Sequence, residues 1–150
     1  MAFTEIKNRI KAQLTFDVNK EIADIINENG TFITGLLKKQ LARGKDSKGN
    51  NVTVFGRDYY SDRTVFEKER KGQETRWITN YDSGTFYASL YVYASGTSFI
   101  FDSAVPHFSE ILIQSGEVIM ELDQENITIL RNQVIVPQLQ IRYNARLNGL

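Results

Sequence analysis

Apolar residues recur at intervals of three and four near the start of the chain: Ile6, Ile10, Leu14, Val18, Ile22, Ile25 and Ile26. That spacing marks one face of an α-helix. Asp17 is placed to cap a break within the run, and Asn29-Gly30 supplies a stop, since both residue types tolerate the left-handed conformation. A second helix is expected over "TFITGLLKKQLARG", with Thr31 as N-cap and Phe32, Ile33, Leu36, Leu37 and Leu41 inside. Gly44 closes it.

The pattern then fades. Lys45 to Thr75 is polar and punctuated by Gly and Asn, with scattered aromatics. So long a stretch of weak periodicity is unusual inside a compact domain, and it predicts an extended arm at about 45–75. The arm either folds back or reaches toward a neighbour. Within it a short helix is expected over Thr64–Lys71, with Thr64 and Glu67 in a capping-box pattern.

Period two follows. Phe86, Ala88, Leu90 and Val92 alternate with Tyr87, Ser89, Tyr91 and Tyr93, as in a strand. The four-residue spacing of Phe86 and Leu90 also allows a helical turn from Gly84 to about Leu90. "ASGT" (94–97) is a hairpin turn and "SFIFDS" the returning strand. Helical spacing then resumes. "PHFSEILIQSG" has Pro106 near its first turn and Gly116 after its end. Another helix starts at an Asp123 N-cap, with Ile127, Leu130 and Val134 on one side. Pro137 is expected to end or kink it, and "QLQIRYNARLNGL" continues as a terminal helix. The whole reads as one α+β domain over 1–150: N-terminal helices, a long extended arm, a central antiparallel β-hairpin and C-terminal helices.

A chain of 150 residues buries about 68–70% of its unfolded surface and needs neither disulfide nor structural metal. The absence of cysteine excludes thiolate metal sites, redox motifs and a Cys nucleophile, and fits a reducing compartment. Lys and Arg number 18, against 18 Asp and Glu. Whole-molecule steering toward nucleic acid is therefore not expected. "MAFTEIKNRIKAQL" lacks the apolar core of a signal peptide, and no apolar run approaches membrane-spanning length.

Candidate chemistry is thin. The tetrad Asp82-Ser83-Gly84-Thr85 resembles a nucleophile setting only superficially. Serine needs a base, His107 is the single histidine, and the local pattern is not G-x-S-x-G. "GKDSKGN" (44–50) lacks the ligand set of a calcium loop, and "ASGTSF" lacks the lysine of a phosphate loop. The carboxylate pairs Glu67/Glu69 and Glu121/Asp123 lie beside basic residues or at a helix start. No catalytic residue, cofactor or metal is expected. The tetrad is read as a structural turn leading from the arm into the hairpin. Asp82 or Ser83 caps it, Gly84 permits the bend, and Phe86 and Leu90 anchor it. One stretch leans basic: Arg57, Arg63, Lys68, Arg70, Lys71 and Arg76, interleaved with Tyr59, Tyr60, Phe66 and Trp77. Arg, Tyr and Trp are enriched at protein–protein hot spots, so a protein interface is favoured through Arg57, Tyr59, Tyr60, Arg63, Phe66, Arg70 and Trp77. Nucleic-acid binding by Arg57–Arg76 is the alternative.

Several short motifs occur together. Gly44/Asp46 lie in one turn, and Tyr and Thr stand in the arm. Lys71-Gly72-Gln73 and Asp82-Ser83-Gly84-Thr85-Phe86-Tyr87-Ala88-Ser89 follow, and then the hairpin. This combination, over roughly residues 36–136, resembles small phage and prophage virion proteins of gut-bacterial phages. More distantly it is similar to neck and tail-completion proteins. Ser83 stands where Thr is commoner in that pattern. The resemblance implies an α+β subunit of a homo-oligomeric ring at the head–tail junction or tail, without enzymatic activity. It implies contact with portal, adaptor or tail proteins and assembly in the host bacterial cytoplasm into the virion. No membrane partner is implied, and nucleic-acid contact only as channel lining.

Overall fold

The computed structural model describes residues 3–149. Helix α1 (Phe3–Thr15) stops at Phe16, and α2 (Val18–Glu28) restarts after Asp17, whose carboxylate accepts from Lys20 N at 3.1 Å. The break at Asp17 therefore occurs as the sequence implies. It also re-phases the apolar run. Ile25 and Ile26 are fully inside, whereas Ile6, Ile10, Leu14 and Val18 stay exposed. Helix α3 (Gly30–Ala42) begins one residue after α2 ends, with Asn29 rather than Thr31 at its N-cap position. Asn29 makes no side-chain cap and donates instead to Ile25 O (2.7 Å) and Gln138 Oε1 (3.0 Å). Thr31 lies within the helix, its carbonyl accepting from Thr34 Oγ1. Gly44 closes α3 at φ +68°.

A two-stranded antiparallel sheet, β1 (Leu90–Ser95) and β2 (Ser98–Ser103), packs on α2 and α3. Leu90, Val92 and Ala94 face inward with Phe99, Phe101 and Ser103, while Tyr91, Tyr93 and Ile100 face solvent. The alternation expected from residue 86 starts only at Leu90. Thr85–Ser89 forms the short helix α5 instead, because Gly84 at φ +89° turns the chain and Phe86 and Leu90 enter the core together. The core joins these residues to Ile33, Leu36, Leu37 and Leu41 of α3, Val52, Ile78, Ile119, Met120, Leu122, Leu130 and Val134. Burying each large aliphatic side chain contributes about 1.5–3 kcal/mol.

The C-terminal third holds α6 (Phe108–Ser115), a 3-10 turn (Glu117–Met120) and α7 (Gln124–Leu130). Asp123 caps α7 by accepting from Asn126 N at 2.9 Å. Gln40, buried on α3, fastens this start: it donates to Glu121 O and accepts from Asp123 N and Asn126 Nδ2, all within 3.1 Å. Helix α7 runs through a π turn (Arg131–Ile135) into α8 (Val136–Asn148). Pro137 therefore does not end the helix. Val136 N reaches back five residues to Arg131 O, and the widened turn accommodates the proline ring and its missing N–H. Together α7 and α8 form a rod roughly 35 Å long. Its far end holds α1 and α2: Arg142 pairs with Glu21 (3.1 Å) and Glu28, Tyr143 meets Phe16 edge-on, and Arg146 donates to Thr15.

The segment after α3 folds back on this body. Ser47 N donates to Val118 O, Val52 N to Gly44 O, and Phe55 N to Gln114 O. Its helix α4 (Asp62–Arg70) starts two residues before the expected Thr64, since Ser61 is the residue whose hydroxyl accepts from Thr64 N.

Candidate functional site

Helix α4 has two faces. Arg63, Phe66 and Arg70 lie within about a sixth of a turn of one another and point to solvent. Lys68 lies on the opposite side, only 7% exposed. Its ammonium donates to Gln73 Oε1 (3.3 Å) and to Tyr81 O, and stands 4.8 Å from the Tyr60 ring centre. A buried lysine is tolerable because neutral acceptors and an aromatic face replace its water.

Around Lys68 opens a cleft of about 470 Å³ between the 54–61 loop, α4, the tetrad turn and α6. Arg57, Tyr59 and Tyr60 line it together with Asp82, Ser83, Gly84, Thr85 and His107. Sequence-distant residues from the basic stretch and the tetrad thus meet at one place. Thr79 organises its wall: its N–H donates to Tyr60 Oη (2.9 Å), its carbonyl accepts from Tyr87 Oη (2.6 Å), and its hydroxyl accepts from Tyr81 N (3.2 Å). Burial pushes the Tyr87 hydroxyl well above the usual tyrosine range, so it stays a proton donor.

The tetrad is held by the Lys71-Gly72-Gln73 step. Lys71 Nζ lies 2.5 Å from Asp82 Oδ1, and Gln73 Nε2 donates to Asp82 O. The Lys71 hydrogen bond holds the Asp82 carboxyl below its usual range. Ser83 accepts from Thr85 N at 3.4 Å and its hydroxyl lies 3.0 Å from that of Thr85. Gly84 passes so close to Tyr81 that a Cβ there would sit 2.9 Å from the phenol oxygen. The N-cap position of α5 is Gly84, which carries no side-chain cap; Ser83 makes only a local bond to Thr85 N, and Asp82 is spent on the lysine. Ser83 and His107 line one cleft, yet no hydrogen bond joins them among the described residues.

The other sequence-selected residues divide. Arg57 lies 6.0 Å from the Tyr59 ring centre at the cleft mouth, and both are exposed. Arg63 pairs with Glu67 at 3.3 Å, and Arg70 stands 5.8 Å from Phe66 on the outer face of α4. Trp77 turns inward: its Nε1 donates to Ala42 O (2.8 Å) and its ring covers Gly44. Asp46 caps its own turn by accepting from Lys48 N and Asn50 N. Lys68 and Thr79 are the residues that sequence reasoning passed over as parts of this site. The local signal for Lys68 is its place on the opposite side of α4 from Phe66.

Among the described residues no group of three or more His, Cys, Asp or Glu side chains is placed to hold a metal ion. Among the described residues no helix is long and apolar enough to cross a membrane. No known family model, no curated protein and no solved structure matches the chain.

Proposed function

We propose that the chain is a non-enzymatic structural subunit of a phage virion, assembling as a homo-oligomeric ring at the head–tail junction or tail. The observation that carries this reading is the pairing of exposed aromatics with arginines at the cleft mouth and on the outer face of α4. Arg57, Tyr59, Arg63, Phe66 and Arg70 are all exposed there, with Arg57 beside Tyr59 and Arg70 beside Phe66. Large aromatics held in water by neighbouring arginines resemble an unassembled protein–protein hot spot. The motifs behind the phage resemblance support it from another side. Gly44/Asp46, Lys71-Gly72-Gln73 and the tetrad all serve turns and clamps, which suits a subunit whose work is geometric. A closed ring requires a heterologous contact, one patch meeting a different patch on the next subunit.

The same three arginines supply the alternative, a small nucleic-acid-binding protein. Arg63 is already paired with Glu67, and Asp62 and Glu69 stand nearby in sequence, which favours the protein partner. Sedimentation and electron microscopy of the purified chain, alone and with candidate portal and tail proteins, test the proposal. A closed ring, weakened about tenfold or more by Tyr59→Ala with Phe66→Ala, is the expected result. A chain that stays monomeric and binds no virion protein overturns it, and duplex binding that falls steeply with salt would establish the alternative.

A further inference from the structure

Helix α1 is docked by its weaker face. At about 100° per residue, Phe3, Ile6, Ile10 and Leu14 fall within roughly 80° of arc, and Ala12 lies on the far side. Ala12 is 4% exposed, whereas Phe3 is 84% and Leu14 82% exposed. The apolar stripe therefore faces water along the full length of the helix. Lys7 and Lys11 flank it and enter no ion pair among the described residues.

The complementary charges lie in the segment between the hairpin and α7. Between Arg76 and Arg131 the chain has no Lys or Arg, while Asp82, Asp102, Glu110, Glu117, Glu121, Asp123 and Glu125 are acidic. Glu110 on α6, Glu117 and Glu121 beside the 3-10 turn, and Glu125 on α7 are exposed, and none of them is ion-paired among the described residues. Ile113 of α6 is exposed among them. The α7–α8 rod carries Glu125 at its start and meets the C-terminal end of α1, at Thr15 and Phe16, about 30 Å along its length.

We propose that α1 of one copy docks, through Phe3, Ile6, Ile10 and Leu14, on the acidic α6–α7 end of the next copy. The occupant is a second copy of this chain, and the contact is head-to-tail. Unpaired lysines meet unpaired glutamates, and the apolar stripe supplies the area. The inference rests on the self-assembly in the proposed function and adds a contact between copies to the one made by the α4 surface.

Sedimentation velocity on the full chain tests it, with helicity checked by circular dichroism. The α1 variant carries Ile10→Glu and Leu14→Glu; the acidic-end variant carries Glu110→Lys, Glu117→Lys and Glu125→Lys. Each alone is expected to lose self-association by at least about tenfold. Mixed one to one, they are expected to form a heterodimer, because one intact surface of each kind remains. Lys7→Glu with Lys11→Glu is a gentler third variant, expected to associate with the acidic-end variant better than with wild type. If the α1 variant keeps the wild-type oligomer, the surface assignment falls while the ring reading stands. A mixture of folded variants that yields no heterodimer overturns the head-to-tail pairing. Binding of α1 to anionic phosphatidylserine vesicles by a chain that never self-associates overturns both.

Discussion

Gly44 ends α3 in a conformation with φ +68°, and its missing side chain leaves the place where Trp77 packs. A Cβ there would come 2.6 Å from the indole Cδ1. Gly44→Ala therefore combines left-handed strain of about 1–2 kcal/mol with displacement of a ring whose Nε1 is hydrogen-bonded to Ala42 O. A loss of about 2–3 kcal/mol in urea unfolding is expected, together with a shift in tryptophan fluorescence, since Trp77 is the single tryptophan. Unchanged stability and emission would contradict this packing. Gln40 shows the same logic in polar form. It is buried because the three groups it serves at the start of α7 have no other partner at hand.

At the scale of elements, the clamp between α4 and the tetrad turn sets a pH dependence. The Asp82 carboxyl titrates below its unfolded value, so the stabilisation it provides is present above the usual carboxylate range. It fades as pH falls through the lower folded value, below about 4. Because Lys71 and Asp82 are largely exposed, the effect is at most about 1 kcal/mol. Asp82→Asn is expected to remove that part of the acid dependence of thermal unfolding, with little change above neutral pH. An identical acid limb in wild type and variant would contradict the clamp. The elements also show what the residue pattern carried. The helix break at Asp17, the end at Gly44, the hairpin turn and the Asp123 cap were legible because each depends on neighbours in sequence. Residues 85–89 and 136–137 were ambiguous or misplaced. A helical turn and a strand bury Phe86 and Leu90 equally well, and the π turn that carries the helix past Pro137 has no local sequence mark.

At the scale of the whole molecule, less of the site was legible. Sequence placed the basic-aromatic stretch and the tetrad in separate roles, and folding brings Arg57, Tyr59, Tyr60 and Asp82–Thr85 around one cleft. Nothing local in the sequence marks that meeting, because Thr79 and Lys68 build it through contacts five to nineteen residues away. Nor does periodicity tell which side of α1 the body takes, since the break at Asp17 decides it. The wide turn at Arg131–Ile135 has its own reach. It acts as a phase offset, one residue more than a regular helix would use. Losing a single residue there would restore ordinary winding and leave everything beyond it in phase, so Arg142 would keep Glu21 and Glu28, and Tyr143 would keep Phe16. The same loss in the regular part of α8, before Arg142, would turn those side chains away by roughly 100°. In the language of insertions and deletions, the wide turn is a place where one lost codon leaves the rod in frame.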